Sequence, residues 1–174
     1  KIYYTDRFLK SKKLLGANHE LVRWLEPKYQ KVVREPFHTF AKKLIFEHSD
    51  LSNPNIVIDV DGNTFKIGFV DWGSAHFSYS GPEFYIGYMT QLVDFMADYR
   101  DELIEYVAKK FNLDPAEFLR STTEFRKELK VGDIIWAVMM YALCHNGELG
   151  QDEKKYLEIS NKRIKEYEDE FGSG

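Results

Sequence analysis

An Asp61-Gly62 pair separates two alternating runs, residues 55–60 and 64–70. A tight turn between apolar alternations is the strongest short-range signal for a β-hairpin. What flanks the hairpin constrains the chain further. His48-Ser49-Asp50-Leu51-Ser52-Asn53-Pro54-Asn55 leads in, and Phe69-Val70-Asp71-Trp72-Gly73 leads out. A two-strand clip would hold Asp50 and Asn55 at its entry and Asp71 at its exit. Asp and Asn oxygens are hard ligands suited to Mg²⁺, and a separate Asp can take a proton from an attacking hydroxyl. That combination suits phosphoryl transfer, which depends mostly on positioning and electrostatics.

The rest of the chain reads as helix. Residues 1–15 mix Tyr3, Tyr4, Phe8, Leu9, Leu14 and Leu15 with basic side chains, as in a short helix docking by one side. Asn18 is the expected N-cap of a second helix carrying Leu21, Val22, Trp24 and Leu25, which Pro27 should end or kink. Trp24 has a core reading and a ligand-stacking reading, of which the core is the simpler. Tyr88, Leu92, Phe95, Met96, Tyr99, Leu103, Tyr106 and Val107 recur at helical spacing. Asp114-Pro115 opens a further helix through Leu129, and residues 134–143 form the most hydrophobic one, closed by Asn146-Gly147. A charged helix covers residues 152–171 with Tyr156, Ile159, Tyr167 and Phe171 facing inward. The expected fold class is mainly α with a small β-hairpin (α+β).

At 174 residues the chain is long enough to bury a core, and 44% apolar with 16% aromatic residues argues against disorder. A net charge of −4 argues against general nucleic-acid affinity, and no apolar run approaches the ~18 residues of a membrane span. The single Cys144 precludes an internal disulfide and fits a reducing, cytoplasmic setting. The chain opens on Lys1 without a signal peptide and closes on Gly172-Ser173-Gly174, which reads as a linker remnant, so both ends suggest an excised segment. Other chemistries fit poorly. His76 and His145 are isolated and His38 reads as a surface or capping residue, which disfavours zinc, and no Gly-x-Ser-x-Gly elbow is present. Asp59 and Asp61 are read as turn residues and Lys66 as a solvated strand residue.

His-x-Asp-x-x-x-x-Asn, a hairpin and then Asp-Trp-Gly together resemble the catalytic core of the aminoglycoside phosphotransferase and choline kinase family, relatives of protein kinases. The resemblance implies Asp50 as catalytic base, Asn55 and Asp71 as magnesium ligands, and His48 as the structural histidine of the first motif. It continues weakly through Gly81-Pro82-Glu83-Phe84, and its specificity comes from about residues 44–90. It implies a kinase-like C-lobe over residues 1–171, Mg²⁺ with ATP or GTP, and a small-molecule hydroxyl acceptor. Family members carry an upstream nucleotide lobe with a phosphate-covering loop and a lysine. Neither a Gly-rich loop nor a Val-Ala-x-Lys strand precedes His48 here. The lobe alone is therefore expected to be inactive or nearly so, with the nucleotide shared with a lobe supplied elsewhere, in another chain if not in the parent protein.

Glu83, Asp94 and Asp98 are the candidate substrate-side residues, on the reading that an acidic rim attracts a cationic acceptor; the plainer reading is a solvated helix face. The competing hypothesis from another class is a non-catalytic helical interaction module that retains kinase motifs as relics.

Overall fold

The computed structural model describes residues 2–34, 40, 45–48, 50, 53–62, 64–78, 81–92 and 98–172. In chain order these form α1 (Ile2–Leu15), α2 (Glu20–Arg34), β1 (Ile45–Glu47), β2 (Ile56–Asp61), β3 (Thr64–Phe69), β4 (His76–Ser78), α3 (Pro82–Leu92), α4 (Arg100–Phe111), α5 (Pro115–His145) and α6 (Glu153–Phe171). The protein is mainly helical, with two small antiparallel sheets, β2–β3 and β1–β4. The chain divides into two compact units, Lys1–Pro36 with Lys127–Gly174, and Phe37–Arg126.

The first unit is a helical assembly of α1, α2, α6 and the part of α5 from Lys127 onward. Leu21, Val22, Leu25 and Tyr29 recur on one stripe of α2, and all are buried. They meet Phe8 of α1 and Val131, Ile134, Ile135, Val138 and Tyr141 of α5 in one cluster. Phe8 stacks on Tyr29 with ring centroids 4.1 Å apart. Each fully buried side chain of this size stabilises the unit by roughly 1.5–3 kcal/mol before entropy is counted. Trp24 lies at the margin of the cluster and its indole N–H donates to Glu168 Oε1 at 2.8 Å. Gly132 is required by packing, because a Cβ there would fall 2.4 Å from the Tyr4 ring.

Two boundaries differ from expectation. His19, not Asn18, caps α2, its Nδ1 accepting from Leu21 N. Pro27 neither ends nor interrupts the helix, which runs on to Arg34. Pro27 and Arg23 are both exposed, so the carbonyl that loses its helical donor lies on the water side. Farther along, the two helices expected over residues 114–143 are one, α5, capped by Asp114 through its Oδ1 and Glu117 N at 2.8 Å. Its end is as expected. Gly147, at φ 71°, donates to Cys144 O, and Glu148 N donates to Leu143 O.

The second unit holds both sheets, α3, α4 and the start of α5. Ile86, Ile104, Ala108 and Phe118 form its core, with Phe40, Leu103, Val107 and Leu113 against them. The single helix expected over residues 88–107 is two: α3 ends at Leu92 and α4 begins at Arg100. The hairpin lies where the alternation placed it. Its register pairs Asp61 with Thr64, so Asp61 is the last residue of β2 and Gly62 follows it in the turn. Gly62 has φ 57°, the left-handed conformation that a two-residue hairpin turn demands and glycine adopts without strain. Among the described residues no helix is long and apolar enough to cross a membrane.

Candidate active site

The β1–β4 pair is what brings the two motifs together. Glu47, the residue before His48, sits opposite His76, which follows the second motif. Between these anchors the chain runs through a 3-10 turn at Asn53–Asn55, the hairpin, and a second 3-10 turn at Trp72–Ser74. Three-residue strands carry almost no periodicity, and their pairing spans the whole hairpin, so no local pattern announces them.

His48 is buried and ties both motifs. Its Nε2 lies 2.7 Å from Val70 O, while its Nδ1 accepts from Asp50 N at 3.4 Å. An accepting Nδ1 leaves the proton on Nε2, so the ring is neutral and donates to Val70. The ring also packs on Trp72, centroids 4.5 Å apart. Asn55, likewise buried, donates from Nδ2 to Asp50 O at 2.9 Å, and its own carbonyl accepts from Val70 N at 3.0 Å. Asp50 is therefore held through its backbone, at the N–H by His48 and at the carbonyl by Asn55. The residue is half-buried.

Asp71 follows Val70 directly, so the Asn55–Val70 bond sets it one peptide unit from the first motif. It adopts φ 56° and ψ 67°, left-handed for a residue with a side chain. That conformation costs of order 1–2 kcal/mol, partly offset by its Oδ1 accepting from Gly73 N at 3.4 Å. Strain of this kind persists where surrounding structure imposes it, and it clusters at functional sites. Asp71 is exposed, so its carboxylate is open to a cation.

The residues fit a magnesium site of the kind completed by phosphate. Magnesium commonly takes one or two carboxylates together with phosphate oxygens and water. The donors such an ion would take here are the Asn55 amide oxygen and the Asp71 carboxylate. Among the described residues no three His, Cys, Asp or Glu side chains cluster as metal ligands.

The three substrate-side candidates fall in different places. Glu83 is wholly buried in the first turn of α3 and accepts from Phe40 N at 3.1 Å, so its carboxylate serves the backbone inside the unit. Asp98 is exposed just before α4. Asp94 lies outside the described residues.

Sequence reasoning passed over two features. Glu47 is buried, and burial, with the Glu47 carboxylate a lesser cause, pushes the Tyr85 phenol up. Phe46 and Trp72 stack with ring planes 2° apart. The residues before His48 read as helix, whereas Ile45–Glu47 form β1, and nothing local to Phe46 pointed to Trp72.

No family model, curated protein or solved structure matches the chain.

Proposed function

We propose that the chain is the substrate- and magnesium-binding lobe of an ATP- or GTP-dependent small-molecule phosphotransferase, of the aminoglycoside phosphotransferase and choline kinase type. The observation that carries the reading is the mutual tie of the two motifs. His48 and Asn55 hold the backbone of Asp50 on one side and Val70 on the other, and Asp71 follows in a strained left-handed conformation. That arrangement suits a site that needs Asp50, Asn55 and Asp71 in fixed relation.

In this reading Asp50 accepts the proton of the acceptor hydroxyl, while Asn55 and Asp71 hold Mg²⁺. The ion would neutralise charge on the nucleotide phosphates. Burial of His48 and the backbone ties of Asp50 keep the loop in place. A nucleotide would meet only part of its pocket here, so turnover requires a second lobe. The setting proposed is a reducing, cytoplasmic one.

The test is titration of Mg²⁺ with ATP and with GTP into the chain, followed by phosphoryl transfer to a panel of amines and alcohols with an upstream lobe supplied. Binding that needs Asp71 and Asn55, and turnover abolished by Asp50→Ala with the fold intact, are expected. Wild-type turnover in Asp50→Ala would remove the assigned base and leave the motif a structural relic, as the interaction-module reading holds.

A further inference from the structure

Asn146 is the one asparagine of the chain that precedes a glycine. In such a pair the glycine backbone nitrogen can attack the asparagine side chain, because no Cβ obstructs the approach. Asn146 and Gly147 follow α5 directly, and both are exposed to water. How the turn holds the reacting atoms decides whether that chemistry runs.

Each atom that must move is tied. The attacking nitrogen, Gly147 N, donates to Cys144 O at 3.0 Å, and Glu148 N donates to Leu143 O at 2.9 Å. These are the paired bonds of a helix end closed by a left-handed glycine. The leaving nitrogen, Asn146 Nδ2, donates to Ala142 O at 2.9 Å and to Leu14 O at 3.3 Å. Attack requires Gly147 N to give up the proton held on Cys144 O. It also requires Asn146 Cγ to swing toward that nitrogen, which pulls Nδ2 off both carbonyls. The closed turn opposes the reaction and an open one does not. A helix end on the surface opens at a small fraction of the cost of global unfolding.

The same amide clasps two helices. Leu14 lies in the last turn of α1, where carbonyls lack an intrahelical donor, and Asn146 supplies one from 132 residues away. A carboxylate in its place donates nothing and sets oxygen against oxygen at Leu14 and Ala142. It also puts negative charge at the carbonyl ends of α1 and α5, two residues before Glu148. The neighbouring bases are already engaged, Lys10 with Glu148 at 3.2 Å and His145 with Glu153 at 2.9 Å.

We propose that Asn146–Gly147 is a latent modification site: the closed turn withholds it from deamidation, and opening of the α5 terminus converts Asn146 to aspartate and isoaspartate, unclasping the last turn of α1. In the first step Gly147 N gives its proton to hydroxide and bonds to Asn146 Cγ. The Cγ–Nδ2 bond breaks, and Nδ2 takes a proton from water and leaves as ammonia. Water then opens the cyclic imide at Cγ, giving aspartate, or at the Asn146 backbone carbonyl, giving isoaspartate with the main chain rerouted through Cγ. Nothing is oxidised or reduced. The site lies in the first unit and is independent of any chemistry at Asp50.

Incubation of the full chain in mildly alkaline buffer made with heavy-oxygen water, folded and in urea, tests the proposal. Peptide mapping by mass spectrometry follows the label into residue 146. Label enters at least tenfold faster in urea than in the folded chain, and in urea it enters residue 146 before any other asparagine. In the folded Asn146→Asp variant, hydrogen exchange of the last-turn amides of α1 is severalfold faster than in wild type. Asn161→Asp, at an exposed position of α6, leaves that exchange unchanged. Asn146→Ala, which removes the amide without adding charge, shifts α1 exchange in the same direction and replaces Asn146→Asp if that variant does not fold.

Equal labelling rates in the folded and unfolded chains overturn the proposal, since the turn then withholds nothing. So does a residue 146 that stays unlabelled in urea. Exchange of α1 that matches wild type in the residue 146 variants also overturns it, because the amide would then clasp nothing.

Discussion

His48 and Val70, twenty-two residues apart, are joined by a 2.7 Å hydrogen bond from the imidazole Nε2 to the backbone carbonyl. The other group of the same peptide backbone, Val70 N–H, is taken by Asn55 O. Both hydrogen-bonding groups of Val70 are thus held by the motif that precedes the hairpin, and Asp71 inherits its position from them.

His48→Ala removes the donor to Val70 O and the acceptor for Asp50 N within a buried site. The expected cost is about 1–3 kcal/mol. Asp50→Ala leaves the backbone ties in place and costs under about 1 kcal/mol. Urea denaturation of both variants, followed by a probe of the second unit such as Trp72 fluorescence, checks the order. A larger loss for Asp50→Ala would mean that its carboxylate holds the loop.

Asn55→Asp separates the two roles of the amide. The carboxylate cannot donate to Asp50 O and sets oxygen against oxygen there, so stability falls by about 1–3 kcal/mol. An oxygen ligand for magnesium is retained. Calorimetric titration should therefore show Mg²⁺–nucleotide binding closer to wild type in Asn55→Asp than in Asn55→Leu.

Gly132→Ala tests the Tyr4 contact by the sign of its effect. Glycine-to-alanine inside a helix ordinarily gains up to about 1 kcal/mol. Here the new Cβ meets the Tyr4 ring, so a loss of about 1–3 kcal/mol is expected. Adding Tyr4→Leu should recover part of it. A thermal melt showing Gly132→Ala more stable than wild type would refute the close packing of Tyr4.

Asp133 gives a pH dependence. Burial raises its carboxyl above the ordinary 3.8, outweighing the opposite pull of Arg163, whose guanidinium is 3.0 Å away. The native state holds this proton more tightly than the unfolded chain. Its contribution to stability is therefore complete below the unfolded value and is lost as pH rises through the folded one. Asp133→Asn abolishes that dependence and keeps the Arg163 bond to the backbone carbonyl. Between about pH 7 and pH 4 the Tm difference should move in favour of wild type as pH falls. An unchanged difference would mean the carboxyl is not perturbed.

Several elements were legible locally because their causes are local. The hairpin follows from alternation about a glycine turn, α2 from its apolar stripe, and the start of α5 from Asp114-Pro115. Where expectation failed, a neighbour decided the outcome. Residues 114–143 read as two helices, yet α5 is continuous through Gly132, where the Tyr4 ring occupies the space a side chain would take. Glu83 reads as a rim carboxylate at a helix start, but its partner is Phe40 N, forty-three residues upstream.

The sequence by itself determined the order and spacing of His48, Asp50, Asn55 and Asp71, the hairpin between them and the helical character of the remainder, since residue type and period act over a few neighbours. Only tertiary structure decided that β1 and β4 pair, that His48 and Asn55 hold the backbone carbonyl and N–H of Val70, and that Asp71 turns left-handed. Those outcomes depend on contacts across the hairpin, and a backbone carbonyl carries no mark in the sequence of which distant donor will reach it.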